Sequence, residues 1–199
     1  DPMTLAYLGG SAQADGDILV SAETDFGPYR FNYEILGYDI DFDVTAMAIA
    51  GGATTGDAGV GAAVIVNVFD LDTVAHTGND AFINGYQPEG ERGDSVTVSA
   101  VNTTRLRNYA GSLGVATGSA GIGVGIDVTV LHKDTYAYIG SESTVRSDGN
   151  ISVTAAASED VRSVVANAGA AEDVGIGASL SVQVLTTNTA AYITDSEEG

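Results

Sequence analysis

Apolar and polar positions alternate with a period of two along three long segments of the chain. The segments 60–77, 122–139 and 176–193 superimpose without gaps. Their equivalent aliphatic positions are, in order, Val64, Val66, Val68; Ile126, Val128, Val130; and Leu180, Val182, Val184. The intervening positions are more polar, as Asp127 and Thr129 illustrate in the second segment. A period of two over about ten residues predicts a long β-strand with one buried face.

Two shorter motifs recur at fixed places relative to these segments. The first is Thr-x-Ala-Tyr-Ile-Gly, with complete or partial copies that begin at Thr4, Thr73, Thr135 and Thr189. The second is a Gly/Asp turn followed by a short alternating strand, and its copies end at Ala22, Ala100 and Ala155. Because the first motif repeats in phase, its aromatic position predicts a ladder of side chains on successive repeats, formed by Tyr7, His76, Tyr138 and Tyr192.

Repetition of one strand-rich unit, with no helical period over three turns, predicts an all-β fold. The first expectation is a repeat-built β-solenoid, in which each repeat covers the next. An antiparallel β-sandwich of hairpins is the alternative. The repeats divide a single domain, residues 1–199, into a partial repeat 1–59, repeats 60–121 and 122–175, and a partial repeat 176–199.

Two segments interrupt the repeats and concentrate aromatic residues. Residues 23–43 form an insertion in the first repeat, and residues 79–91 an insertion in the second. Insertions in repeat arrays gather on one face, which is often the binding face. Aromatic rings beside Asn, Asp and Gln suit sugar stacking or a protein interface, although the same rings could simply cover a sheet end. The candidate interaction residues are Tyr29, Phe31, Tyr33, Tyr38, Phe82 and Tyr86.

The charge balance excludes several classes of partner. The chain has 27 acidic and 7 basic residues, for a formal charge of −20. Such a surface repels phosphate, so a nucleic-acid partner is excluded, and membrane insertion is not expected. Because there is no cysteine, disulfides and thiolate metal sites are excluded as well. Strong acidity without cysteine fits an extracellular bacterial surface protein.

One group of carboxylates is a candidate metal site. Asp39, Asp41 and Asp43 alternate on one predicted strand, so their side chains face one side at intervals of about 7 Å. Oxygen ligands suit Ca²⁺, but Val44 stands where a calcium loop needs glycine. The pattern predicts a solvated strand face, with Ca²⁺ binding by the three aspartates as the alternative.

Nothing in the sequence marks a catalytic site. His76 occupies the Tyr position of its repeat, which indicates a structural role, and His132 lies at the end of a predicted strand. Gly-rich stretches such as 118–125 lack the Lys-Ser/Thr pair and the helix of a phosphate-binding loop. The expectation is therefore a protein that is not an enzyme and has no cofactor beyond the candidate Ca²⁺.

The repeats resemble those of a known class of proteins. Gly-Val-Gly followed by an alternating strand, Thr-x-Ala-Tyr-Ile-Gly and Gly-Asp-Ile-x-Val-x-Ala are similar to repeats of giant bacterial surface exoproteins, the haemagglutinin-like and leukotoxin-like adhesins. The first full copy departs from the pattern, with His76 for Tyr and Thr77 for Ile. The resemblance implies a secreted, extended, β-rich adhesin or filament.

We therefore expect a structural or adhesive protein at a bacterial cell surface. Its two ends share nearly one phase of the repeat, so residues 1–22 and about 174–199 are expected to pair head to tail with another copy or an adjacent repeat. A self-assembling filament subunit is the second hypothesis, and a β-helical polysaccharide-degrading enzyme is the third. A glycan or a cell-surface protein is the candidate ligand of an adhesin.

Overall fold

The computed structural model describes residues 3–35 and 38–194, except for the side chains of Tyr33, Ile35 and residues 38–40. Every regular element in this part of the chain is a β-strand. The strands are β1 (Met3–Leu8), β2 (Ser11–Ala12), β3 (Ile18–Phe26), β4 (Tyr29–Ile35), β5 (Tyr38–Val44), β6 (Ala46–Thr54), β7 (Ala58–Thr77), β8 (Phe82–Ile83), β9 (Ser95–Ala116), β10 (Ala120–Ile139), β11 (Thr144–Val145), β12 (Asn150–Ala170) and β13 (Val174–Ile193).

The long strands stack in two large parallel sheets. The first sheet has the order β1-β7-β10-β13, and in the second β9 lies between β12 on one edge and β3 followed by β6 on the other. A small third sheet has the order β11-β8-β2. All of these pairs are parallel, so each coil of the chain lies on the one before it. The fold is a β-solenoid-like stack of coils, and the antiparallel sandwich alternative is wrong.

The registers match the equivalences that the sequence predicts. Val64 lies beside Ile126, and Ile126 lies beside Leu180. Pairing with β10 continues without a bulge along the whole of β13. In the second sheet Ile151 lies beside Val96. The three alternating segments therefore form consecutive coils of one stack.

The aromatic insertion is an antiparallel hairpin that leaves the stack in register. β3 stops pairing with β9 at Phe26, and β6 resumes the pairing at Ala46. Residues 27–45, nineteen in number, thus stand where β9 has only residues 105–107. β4 and β5 pair with each other inside this segment. Residues 23–26 belong to β3, so the insertion starts later than the sequence indicates.

The second insertion also starts later than the sequence indicates. Phe82 and Ile83 form β8, which lies between β2 and β11 in the small sheet. Residues 79–83 therefore follow the same path as the equivalent part of the next coil. The additional length falls after Asn84, whose φ of 52° marks a turn.

The first halves of β7 and β10 bury the face opposite to their aliphatic one. Asp127 and Thr129 in β10 are 0% exposed. Val66 and Val68 in β7 are 66% and 71% exposed. The alternation correctly predicts one buried face, but in these two segments the aliphatic positions lie on the outside and the intervening positions lie between the sheets. β9 keeps the expected orientation, with Val96 and Val98 buried.

Close approach of the two large sheets explains this inversion. Gly59 and Gly121 are buried positions of β7 and β10, and a Cβ at either would overlap a carbonyl oxygen of the opposite sheet. The inward positions of β7 and β10 at this end are Gly, Ala and small polar residues, with Ile65 as the one large aliphatic side chain among them. An apolar core forms toward the other end of the strands, from Val20, Ala22, Ala75, Val98, Ala100, Ala137 and Ile139.

Candidate functional site

An uninterrupted aliphatic surface covers one half of the first sheet. It consists of the outward side chains of residues 58–68, 120–130 and 174–184, and every one of them is Ala, Val, Ile or Leu. We call this surface the aliphatic face. Val64 in β7 and Leu180 in β13 are both more than half exposed. A contiguous apolar patch on the outside of a folded chain marks an interaction surface.

A charged row borders the aliphatic face. Farther along the strands, the outward positions change to Asp70 and Asp72 in β7 and to His132 and Asp134 in β10. His132 Nε2 lies 3.7 Å from Asp134 Oδ2. Burial raises the pKa of Asp72, and the negative charges of Asp70 and Asp134 raise it further. Like charges are thus concentrated at one end of the aliphatic face.

The predicted aromatic ladder is confirmed and lies beyond the charged row. Tyr7, His76, Tyr138 and Tyr192 occupy paired positions on four successive strands. Consecutive ring centroids are 4.9, 4.6 and 5.1 Å apart. Burial raises the pKa of the Tyr138 phenol, and the neighbouring Tyr192 adds to the shift.

The only lysine of the chain is fully buried between the sheets. Lys133 Nζ donates to the main-chain oxygens of Asn102 at 2.9 Å and of Ser158 at 3.0 Å. The same atom lies 2.7 Å from Glu159 Oε1. These contacts tie β10 to β9 and β12, so the lysine links the two large sheets. A lysine without access to solvent acts as a structural cross-link, and Lys133 shares the inward face of β10 with Asp127 and Thr129.

A second polar network surrounds the buried carboxylate of Asp127. Asn108 Nδ2 donates to Asp127 Oδ1 at 3.2 Å and to Thr129 Oγ1 at 2.7 Å. Ser181 Oγ donates to Asp127 Oδ2 at 3.4 Å, and Asn67 Nδ2 donates to Asn108 Oδ1 at 3.2 Å. The network joins β7, β9, β10 and β13. A hydrogen-bonded interior of this kind holds the two sheets together where a hydrophobic core is absent.

The hairpin carries most of the aromatic residues that the sequence singles out. Tyr29 and Phe31 are exposed on β4. The ring of Phe31 lies 5.7 Å from that of Phe42 on β5. The side chains of Tyr33 and Tyr38 lie outside the described residues.

The candidate calcium residues lie on the same hairpin. Asp41 accepts a hydrogen bond from Asn32 Nδ2 at 2.7 Å, and Asp43 Oδ1 lies 3.5 Å from Arg30 Nε. The side chain of Asp39 lies outside the described residues. Within the described residues, no group of three His, Asp or Glu side chains could hold a metal ion. Two of the three carboxylates are thus engaged by side chains of β4.

The remaining predicted aromatic residues form a separate pair. The ring of Phe82 lies 4.5 Å from that of Tyr86. Tyr86 is largely exposed, and Phe82 is half-buried in the small sheet. Among the residues that the structure describes, no ring pair joins this loop to the hairpin. The structure therefore gives two aromatic groups where the sequence suggests one binding face.

A cleft of about 500 Å³ opens at the base of the hairpin. Phe26 and Phe69 form part of its wall, with ring centroids 5.1 Å apart, and Tyr29 lies at its edge. Asp25, also in the wall, accepts a hydrogen bond from Arg105 at 2.8 Å. An aromatic wall with a few fixed polar groups has the composition of a small-ligand site.

In residues 3–35 and 38–194 we find no helix that is long and apolar enough to cross a membrane. Comparisons of the chain with protein-family models, with characterised proteins and with solved structures find no match.

Proposed function

We propose that the protein is a structural, non-enzymatic repeat protein of a bacterial cell surface, in which further coils continue the stack head to tail. The added coil comes from another copy of the chain or from adjacent repeats. One observation carries the proposal. Leu131 in β10 is 0% exposed, whereas Leu185, which lies beside it in β13, is 44% exposed. Side chains that a coil covers in the middle of the stack thus lie open on its last strand.

The backbone of β13 supports the same conclusion. The amides of Val174 and Thr194 donate to the oxygens of Ser119 and Ile139, at the two ends of the pairing with β10. Because the register between them is continuous, even-numbered residues direct their amides to β10 and odd-numbered residues direct theirs to the free edge. No described strand pairs with this second edge of β13, which is twenty residues long, and an unpaired parallel edge is a template for another strand.

The first coil is open as well. A cleft of about 420 Å³ lies between β1 and β3 and is lined by Ala6, Leu8 and Val20, among others. β1 pairs with β7 only from Asp72 onward. In the described residues, the part of β7 before Asp72 therefore has no neighbour on that side. Both ends of the stack can accept a coil of the same shape.

The cell-surface location rests on composition and on the repeats. A net charge of −20 and the absence of cysteine suit a protein that works outside the cell. The resemblance of the repeats to surface exoproteins points the same way. A filament subunit that assembles freely outside the cell would use the same edges. This second hypothesis differs from the first only in whether the polymer is anchored to the cell.

The hairpin supplies the adhesive part of the proposal. Tyr29 and Phe31 are exposed, and the cleft beside them combines aromatic and polar walls. Aromatic planes next to hydrogen-bonding groups suit a glycan or a cell-surface protein.

A proline at the free edge tests head-to-tail growth. Thr187 in β13 directs its amide away from β10, so Thr187→Pro removes a donor that only an added coil would use. We expect the variant to remain folded by circular dichroism but to lose the polymers that electron microscopy and light scattering detect for the parent. Thr187→Ala keeps the amide and serves as the matched control. Polymers of normal length from Thr187→Pro, or a strictly monomeric parent, would overturn the proposal.

A further inference from the structure

We propose that the aliphatic face is a lateral dimer interface, on which a second copy of this chain packs sheet against sheet. The proposed function uses the strand edges, whereas this interface uses the outer surface of the first sheet. The two contacts are perpendicular to each other and involve different atoms. Either can fail while the other holds.

The composition of the aliphatic face indicates that another molecule covers it. Every outward position in 58–68, 120–130 and 174–184 is aliphatic, with no polar side chain among them. Aliphatic side chains gain about 25 cal/mol for each Å² removed from water. Apart from Ile65, the inward positions of β7 and β10 at this end are Gly, Ala and small polar residues. Most of the large aliphatic side chains in this part of the sheet can therefore be buried only by another molecule.

The size of the face matches what a stable pair of proteins needs. Ten steps along a strand at about 3.3 Å give a length of about 33 Å, and three strands about 4.8 Å apart give a width of about 14 Å. Two such faces together bury roughly 1,000 Å², without the additional area of the side chains that project from the plane of the sheet. This area reaches the lower limit for a specific interface. Two sheets that pack in this way lie about 10 Å apart, with interdigitated side chains.

A second copy is favoured over a lipid bilayer. Within the part of the chain that the structure describes, β13 pairs with β10 alone, and its odd-numbered residues direct their amides and carbonyls to the other edge. In hydrocarbon, each such unpaired group costs several kcal/mol. A dimer leaves these edges in water while it covers the aliphatic side chains, so it satisfies both requirements.

The charged row determines how the two copies face each other. Asp70, Asp72 and Asp134 lie at one end of the face. If the strands of the two copies ran in the same direction, these carboxylates would meet their own counterparts and repel. A twofold axis perpendicular to the strands separates the two acidic rows by the length of the face. The strands of the two copies therefore run in opposite directions.

Cysteine cross-linking tests both the interface and its orientation, because the chain has no cysteine of its own. Ile126 lies near the middle of the face in β10, so Ile126→Cys is expected to form a disulfide-linked dimer on mild oxidation. Val130→Cys, at the end of the face, lies about 33 Å from its counterpart in the antiparallel arrangement and should not cross-link. Thr103→Cys, on the outer face of β9, is the control for random collision.

Sedimentation equilibrium gives the second readout. The Thr187→Pro chain, in which head-to-tail growth is blocked, should dimerise, and Val66→Lys combined with Val128→Lys in that chain should raise the dissociation constant at least 100-fold. Thr97→Lys, on the outer face of the other large sheet, should leave it unchanged, and circular dichroism checks that both variants fold. Dimers should survive Thr187→Pro, which blocks only the edge. This separates failure of the lateral interface from failure of head-to-tail growth.

Three results would overturn the proposal. One is a chain bearing Thr187→Pro that stays monomeric up to the highest concentration reached. Another is dimerisation that the two lysines do not weaken, and the third is a cross-link through Val130→Cys or Thr103→Cys that equals the one through Ile126→Cys. Cosedimentation of the parent with phosphatidylcholine vesicles, lost with the two lysines and without dimers in solution, would assign the face to lipid instead.

Discussion

The rings of Tyr138 and Tyr192 lie parallel, with centroids 5.1 Å apart and planes inclined by 4°. The two residues are separated by 192 − 138 = 54 positions in the chain, and parallel pairing of β10 with β13 sets them side by side. The ring of Tyr138 also lies 4.6 Å from that of His76. It is thus an inner member of the ladder and has a ring on each side.

Loss of this ring should weaken the stack. Tyr138→Leu keeps an apolar side chain but removes two ring contacts, each worth about 0.5–1.5 kcal/mol. We expect the free energy of unfolding in urea to fall by about 1–3 kcal/mol. Tyr29→Leu, at an exposed ring of the hairpin, is the control and should change it by less than about 0.5 kcal/mol. Equal losses from the two variants would show that the ladder adds no stability.

The buried Lys133–Glu159 pair should respond differently to single and double substitution. Lys133→Met leaves Glu159 without its cation and two main-chain oxygens without a donor, so we expect a loss of about 3–5 kcal/mol. The double variant Lys133→Met, Glu159→Gln removes the unpaired charge and should recover part of that loss. Denaturation midpoints of the parent and the two variants measure the difference. A double variant less stable than Lys133→Met would contradict the uncompensated charge as the cause.

Two adjacent glycines of β6 should tolerate alanine very differently. A Cβ at Gly52 would overlap the carbonyl oxygen of Val60, whereas a Cβ at Gly51 meets open space. Gly52→Ala should therefore destabilise the fold by about 1–3 kcal/mol or more, because the sheets cannot move apart without loss of the contacts around it. Gly51→Ala should be neutral or slightly stabilising, because it restricts the unfolded chain. Thermal unfolding of the pair tests whether backbone proximity determines these positions.

Acidic pH should abolish the benefit of neutralising Asp72. Its pKa is raised by burial and by the charges of Asp70 and Asp134, so the ionised form costs stability above that pKa, and the cost disappears as the pH falls through it. Asp72→Asn should thus raise the melting temperature at pH 7 and have little effect near pH 3.

Asp160 should behave in the opposite way, because the hydrogen bond from Arg107 is the main cause that lowers its pKa. Asp160→Asn should lower the melting temperature at pH 7, with the effect fading as the pH falls through the lowered pKa.

Salt should stabilise the protein. With a charge of −20, the folded chain repels itself, and raising the ionic strength from about 0.01 M to 0.15 M shortens the Debye length from about 30 Å to about 8 Å. We expect the melting temperature to rise with NaCl. If Asp39, Asp41 and Asp43 form a solvated strand face, CaCl₂ at matched ionic strength should add nothing. An additional rise with CaCl₂ that Asp43→Asn abolishes would show that these residues bind calcium.

The repeats predict the stack and its register because both depend on what recurs. Val64, Ile126 and Leu180 are equivalent in sequence and adjacent in the first sheet. The same phase relationship places Tyr7 next to His76. Like side chains of successive repeats form continuous columns only if equivalent residues lie side by side, so the repeat pattern predicts these neighbours.

Periodicity does not determine which face of a strand lies inside. Alternation defines two faces, and the aliphatic one is expected to be buried. Gly59 and Gly121 reverse this expectation, because they bring the sheets too close for larger inward side chains. The signal is present in the sequence, since these glycines alternate with the aliphatic residues. It can be interpreted only when the glycines are taken as the inner face.

The candidate site also contains residues that the sequence could predict and residues that it could not. The exposed aromatic residues follow from their place in an insertion, as Tyr29 and Tyr86 show. The role of Lys133 could not be predicted, because its partners Ser158 and Glu159 come from β12, and only the meeting of the two sheets brings them together. Contacts between the sheets do not repeat from coil to coil, since the equivalent of Lys133 is Leu71 in β7 and Thr187 in β13.

The parallel stacking has a consequence for how the chain folds. Neighbours in the large sheets are 180 − 126 = 54 to 96 − 18 = 78 positions apart, so the first two coils must close long loops before any ladder bond can form. Once these two coils have paired, each later coil adds to an edge whose backbone amides, carbonyls and side chains are already in place. Nucleation should be slow and elongation fast. Refolding should then show a lag phase, and pre-folded protein added as a seed should shorten it.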